Sequence, residues 1–243
     1  MLYLEYYNEV LKVLDRVMKT QRKEIEAAAK LASEVILRDG LIYVFGCGHS
    51  HIIGEDLFYR AGGLAPVSAI LDSALMLHDG AIKSSYMERI PGIAAPLIDR
   101  HGITMKDMLL IISTSGINSV PVEAAKYARE KNIPVVAITA RSYAEDKSRH
   151  LSGKHMYEYA DIIIDNCVCH GDASVTVGKT GCKTGPISTL SGSLIAQSIM
   201  VQVAENIADI GEKPPLYVSG NIPGGLEQNE ALIKRYGPRM KHL

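Results

Sequence analysis

The sequence predicts an α/β fold, a three-layer sandwich in which a five-stranded parallel sheet lies between layers of helices. Three observations carry that prediction. Five short apolar runs, "LIYVF" at 41–45, "APVSAIL" at 65–71, "MLLIIS" at 108–113, "PVVAIT" at 134–139 and "DIIID" at 161–165, are continuous rather than alternating. That is the pattern of strands covered on both faces. Helical segments fill most of the intervals between them, as parallel strands require. Finally, 243 residues of which 47% are hydrophobic suit one domain that buries roughly 70% of its unfolded surface.

Taken in order, residues 2–38 contain neither Gly nor Pro, and Leu4, Leu11, Leu14, Met18, Ile25, Ala28, Leu31 and Val35 recur at helical spacing. This is a long N-terminal helix, or two joined, stopped by Gly40. Residues 1–40 are therefore set apart as a helical segment that packs on the domain or on a partner subunit, with the main domain over 41–243. Helices follow the first, second and third strands at about 50–61, 92–101 and 120–131. Residues 72–91 and 140–157 are polar and irregular, read as loops or short helices. An apolar helix over 191–210 and a shorter one near 226–236, after "NIPGG", complete the chain as a C-terminal helical extension.

Bulk charge excludes some function classes. With 26 basic and 27 acidic side chains, nothing draws the protein to nucleic acid or an anionic membrane. Two Phe and no Trp leave no stacking platform for bases. No run of about 18 apolar residues occurs, and Glu5 and Glu9 interrupt any signal-peptide core. Four cysteines are sparse for a disulfide scaffold. The expectation is a soluble cytoplasmic protein.

Chemistry is sought where parallel strands end and helices begin. After the first strand comes "GCGHSH", Gly46 to His51, which contains Gly48 and Ser50. After the third comes "STSGINS", Ser113 to Ser119. Free N–H groups and the positive end of a helix dipole favour an anion there. One hydroxyl suffices to cap a helix. Three clustered on Gly116 describe a phosphate cradle. A dinucleotide turn fits less well, because His51 stands where the third glycine of G-x-G-x-x-G belongs. "GKT" at 178–180 ends like a P-loop, but Ala173 occupies its first glycine. Cys167, Cys169, His170 and Cys182, or Cys47, His49 and His51, tempt a metal reading. C-x-C is a weaker signal than the C-x₂₋₄-C of zinc sites, so no metal and no cofactor is expected.

"VFGCGHSHIIGEDLFYRAGGL" and "LLIISTSGINSVPVEAAKYAREKNIPVVAITA" together resemble a sugar isomerase (SIS) domain, over about residues 35–210. The likeness is nearest to single-domain bacterial members described as phosphoheptose isomerases. It implies a flavodoxin-like five-stranded sheet, a phosphorylated sugar or amino sugar as ligand, and homodimers or homotetramers with shared sites. Ser113, Thr114 and Ser115 match the family's phosphate-holding hydroxyls, Gly116 its loop glycine and Ser50 its first-loop serine. The family's further hydroxyl, two residues after that glycine, is here Asn118, with Ser119 one step later. Phosphoheptose isomerases carry a His and a Glu six and ten residues beyond the first-loop serine. Here these are Asp56 and Arg60. Their late Gln is matched by Gln197, while the His eight residues on has become Glu205.

An aldose–ketose isomerase needs a base that moves a proton between neighbouring carbons and an acid that opens the ring. A partly desolvated carboxylate serves as base because burial raises its pKa. Glu205 is the first candidate, then Glu55 and Asp56. His49, His51 and His170 are candidate acids. His78, Glu88 and Arg89 lie in the long loop after the second strand, where a substrate can be gripped. The function expected is phosphosugar binding with isomerisation. The alternatives are a non-catalytic phosphosugar sensor and an amino-sugar phosphate lyase or etherase.

Overall fold

The computed structural model describes residues 1–243. Helix α1 (Leu2–Thr20) and helix α2 (Arg22–Leu37) are two, not one. They meet at Gln21, whose backbone leaves the helical range at φ −111°, ψ 13°. Its buried side chain accepts the Asp165 N–H at 2.9 Å. The joint thus ties the helical arm to an edge of the sheet.

The core then runs β1 (Ile42–Gly46), α3 (His49–Leu57), β2 (Val67–Ala69), α4 (Ala81–Met87), α5 (Ala94–Asp99), β3 (Met108–Ile112), α6 (Ser119–Glu130), β4 (Val135–Thr139) and β5 (Ile162–Asp165). A short hairpin of β6 (Val175–Thr176) and β7 (Lys183–Thr184) precedes α7 (Ser188–Asp209) and α8 (Gly225–Tyr236). Strands β1 to β5 form one parallel sheet in the order β2-β1-β3-β4-β5. The second run is shorter than the sequence implies, three residues instead of seven; at its start Pro66, which has no N–H, joins the ladder only through its carbonyl, which accepts the Ile42 N–H at 2.9 Å. The expected helix at 92–101 narrows to Ala94–Asp99. The antiparallel hairpin was not anticipated.

Both faces of the sheet are covered, which is why its inner strands read as unbroken apolar runs. On one side Ile42, Val44, Met108, Leu110, Ile112, Val136 and Ile138 meet α2, α3 and α7. On the other, Tyr43, Phe45, Leu109, Ile111, Val135 and Ala137 meet α5, α6 and α8. Ala28, Ala29, Ala32 and Ser33 are buried along the face by which α2 packs on α7, where small side chains let the two helices approach closely. No helix is long and apolar enough to cross a membrane.

Candidate functional site

β1 and β3 are direct neighbours, with Gly46 opposite Ile112. The order reverses between them, so the loops that leave these two strands open side by side, where ligands of such sheets bind. In the first loop Gly48 holds φ 56°, ψ −127°, a conformation that side chains resist. It turns the chain sharply enough for α3 to start at once. Ser50 lies half-buried in that first turn and His49 points outward.

The second loop is held from behind. Thr114 O accepts Ala140 N–H at 2.9 Å, Gly116 O accepts Met156 N–H at 2.9 Å and Ile117 O accepts Arg149 N–H at 2.8 Å. Ser113 Oγ accepts the Gly116 N–H at 3.2 Å. Gly116 sits at φ 65°, and a Cβ there would lie 3.1 Å from Thr139 Oγ1. With the carbonyls drawn back, the N–H groups of Thr114, Ser115, Ile117, Asn118 and Ser119 donate to nothing in the chain. They surround the start of α6, where the helix dipole adds positive potential. Chemically this is a cradle for a dianion.

Asn118 is the N-cap residue of α6 but makes no capping bond. The third helical position is Pro121, which has no N–H, and the second, Val120, gives its N–H to the main-chain oxygen of Glu88 at 3.0 Å. The Asn118 side chain instead donates from Nδ2 to Glu88 Oε1 at 2.6 Å and accepts from Arg149 Nη1 at 2.7 Å. Burial pushes the Glu88 carboxyl above the usual carboxylate range, against the opposing charges of Arg89 and Arg149. Burial, followed by the charges of Glu88 and Asp72, pushes the Cys47 thiol well up, so Cys47 is no thiolate nucleophile. Glu88 therefore lies between the two loops. The sequence pointed to Glu88 only as one of three grip residues in a long loop. No local spacing marks its partnership with Asn118.

His51 is 3% exposed, its Nδ1 lies 3.4 Å from Glu55 and its Nε2 has no partner. Burial pushes this imidazole down, opposed by Glu55. It is neutral near pH 7. His170 faces elsewhere, against Asp146 at 3.1 Å and the Tyr143 ring.

The remaining carboxylate candidates separate along the helices. Asp56 accepts from Gln197 Nε2 at 2.8 Å and pairs with Arg60. That cluster sits on the α3–α7 seam, two turns beyond the first loop. Gly192 faces Ile53 as Gln197 faces Asp56, so α7 runs alongside α3 away from the loops. Eight residues further, about 12 Å along the helix, Glu205 is exposed and bonds Gln202 at 2.8 Å. Its surroundings are Arg22, Glu26 and Lys30 of α2. The face shared by Gln197 and Glu205 therefore does not look toward the ends of β1 and β3, and within one chain Glu205 stands apart from the cradle.

Comparison with known proteins agrees with this architecture. Residues 5–140 match the SIS domain, a span that includes α2 and all but the first residues of α1. A UPF0309 protein of Caldanaerobacter subterraneus is 44% identical over 242 residues, covering 98% of each chain. A UPF0309 protein of Halalkalibacterium halodurans is 39% identical over 239 residues, 98% of this chain and 96% of that one. Among solved structures, the phosphoheptose isomerase GmhA of Neisseria gonorrhoeae superposes with a TM-score of 0.59 at 18% identity, over 84% of this chain and 97% of its own. The Vibrio vulnificus NanR protein complexed with ManNAc-6P gives 0.53 at 16% identity, over all of this chain and 71% of that one. The chain is a SIS-domain protein, related along its whole length to the UPF0309 proteins.

Proposed function

We propose that the protein binds a phosphorylated sugar or amino sugar and isomerises it by proton transfer between neighbouring carbons. The observation that carries this reading is the cradle at the start of α6: five unengaged N–H groups with the hydroxyls of Ser113, Thr114 and Ser115. Two fold neighbours, a phosphoheptose isomerase and a protein complexed with ManNAc-6P, support a phosphosugar. With phosphate on this loop, the sugar extends toward Gly48 and Ser50 and passes Glu88. We take Glu88 as the base in place of Glu205. A raised carboxyl removes the proton beside the carbonyl and returns it to the neighbouring carbon. His51, neutral and with Nε2 unengaged, is the group we assign to ring opening.

The test has two stages. Thermal shift across sugar phosphates identifies the ligand, since stabilisation grows as RT ln(1 + [L]/Kd). Solvent deuterium incorporation at the sugar carbon beside the carbonyl then detects proton transfer. One observation favours a second reading, a phosphosugar sensor without turnover. Asp56, at a position where the resembling isomerases carry their histidine, is tied up by Arg60 and Gln197. Tight binding with no exchange of any bound sugar selects the sensor. We further propose a homodimer or homotetramer acting in the cytoplasm. Tyr3, Leu4, Tyr7, Leu11 and Met18 all stand exposed on α1, and all four cysteines are free.

A further inference from the structure

We infer that Arg149 is a positioning residue, which acts on Glu88 through the side-chain amide of Asn118. The inference rests on the reading of Glu88 as the base, and the geometry gives it three supports.

The first is direction. A guanidinium can only donate, so the amide atom that faces Arg149 Nη1 at 2.7 Å must be the oxygen. The opposite atom, which faces Glu88 Oε1 at 2.6 Å, must then be the NH₂. Both bonds are charge-assisted. Asn118 is 6% exposed, so no bulk water competes for its amide.

The second is that Asn118 has been relieved of its ordinary task. Asparagine at a helix N-cap normally accepts an N–H from the second or third helical residue. Here the third is Pro121 and the second is already engaged by the Glu88 carbonyl. An Asn-Ser-Val-Pro start to a helix leaves the amide available as a connector, and both its ends are used.

The third is anchorage. Arg149 is itself pinned to the phosphate loop by its N–H on Ile117 O. The segment after Glu88 is pinned to α6 because the Gly92 N–H donates to the Glu123 carboxylate at 2.8 Å. His150 Nε2 lies 3.6 Å from the same carboxylate. Loop, arginine and carboxylate therefore keep one relative geometry.

The charged and titratable groups facing Glu88 come from every side: Arg89 on its own segment, Arg149 after β4 and the Cys47 thiol after β1. Without Arg149 the amide is free to rotate and present its oxygen to Glu88. The carboxylate then loses a donor and gains a repulsive dipole, so its proton is held to higher pH.

The test is a titration of the Glu88 carboxyl by carbon-13 NMR in the full-length protein, which requires neither ligand nor turnover. Arg149→Met is expected to raise the Glu88 midpoint by about one pH unit, and Arg149→Lys to restore part of it. In an Asn118→Leu background, Arg149→Met is expected to shift Glu88 by distinctly less, because only the direct charge of Arg149 is then lost and the connector is already gone. Equal shifts in the two backgrounds mean that Arg149 acts by charge alone, and overturn the inference. So does an unmoved Glu88 in Arg149→Met. If wild type turns over a sugar phosphate, the acid limb of kcat/KM moves upward by the same amount in Arg149→Met. If Glu88 responds as expected while Glu88→Gln still exchanges substrate protons, the positioning stands and the assignment of the base fails.

Discussion

Asp56 and Gln197 meet across the α3–α7 seam, Nε2 to Oδ2 at 2.8 Å, although 141 positions separate them in sequence. The contact engages the carboxylate from one side while Arg60 holds it from the other. Both carboxylate oxygens are thus occupied within the chain, and neither is free to meet a substrate proton. Asp56→Asn is therefore expected to leave deuterium exchange of a sugar phosphate within a few-fold of wild type. Loss by two or more orders of magnitude, the usual effect of removing a general base, would transfer the role from Glu88 to α3.

Glu88→Gln is expected to abolish that exchange while phosphosugar binding persists. It carries a second signature in stability. Burial raises the folded pKa of Glu88 above its unfolded value. Folded protein then binds more protons than unfolded protein between the two values, so stability falls as pH rises through that window and stays lower above it. Glu88→Gln removes this penalty, and the oxygen of the new amide still accepts from Asn118. The variant is expected to melt above wild type at pH 7, with the difference vanishing in acid. Equal melting temperatures at both pH values would count against a strained carboxylate.

Ser115→Ala is expected to weaken phosphosugar binding by about 1.5–3 kcal/mol, one hydrogen bond to a charged group. The Ser115 hydroxyl bonds nothing in the chain, so the melting temperature without ligand should stay within about 1 °C of wild type. Calorimetry that finds unaltered affinity would remove Ser115 from the phosphate contacts.

Gly116→Ala should behave in the opposite way and destabilise the protein itself. The positive φ costs a residue with a side chain about 1–3 kcal/mol, and the new methyl presses on Thr139 Oγ1 at 3.1 Å. That hydroxyl donates to Thr114 O at 3.2 Å, so the cradle is disturbed as well. Urea denaturation reads the loss directly. An unchanged midpoint would mean that the loop relaxes freely.

His101 supplies an acid-side prediction. It is 4% exposed, and neither ring nitrogen has a partner. Burial, then His242, Lys241 and Arg100, push its imidazole down to about 4, against Asp72. Its unfolded value is about 6.5. Unfolded chains therefore take up the proton first, and stability is lost as pH falls from about 6.5 to 4, by at most about 3 kcal/mol. His101→Phe should flatten that limb. A limb identical to wild type would assign acid lability to other groups.

The apolar stripe on α1 predicts an assembly. Leu4, Tyr7, Leu11 and Met18 are all exposed and share one face, while Tyr6, Val10 and Val13 pack inward. Tyr7→Lys with Leu11→Lys is expected to lower the mass found by light scattering with no change in helix content. A monomeric wild type at micromolar concentration would end this reading.

Much of the architecture was legible because its causes are local. The runs at 108–113 and 134–139 are continuous because each inner strand is roofed on both faces, and burial leaves its mark residue by residue. The hydroxyl loop was legible as the place where an inner strand turns into a helix, since Ser113 to Gly116 are contiguous and their hydroxyls and glycine suit such a turn. No glycine or proline marks the joint at Gln21, so the sequence admits one helix or two there; a strand edge fixes it from outside.

The placement of the carboxylates was decided by packing alone. Spacing correctly put Gln197 and Glu205 on one face of one helix, but which way the face looks depends on the small-residue contact of α2 with α7 and on the course of α7 along α3. Glu88 becomes distinctive only because Asn118 and Arg149, 30 and 61 positions further along the chain, are folded against it. A sequence records the periodicity and the chemistry of each segment. The relative placement of separate segments is a property of the packed core, and a raised carboxyl arises only where desolvation and partners from several segments act on one group.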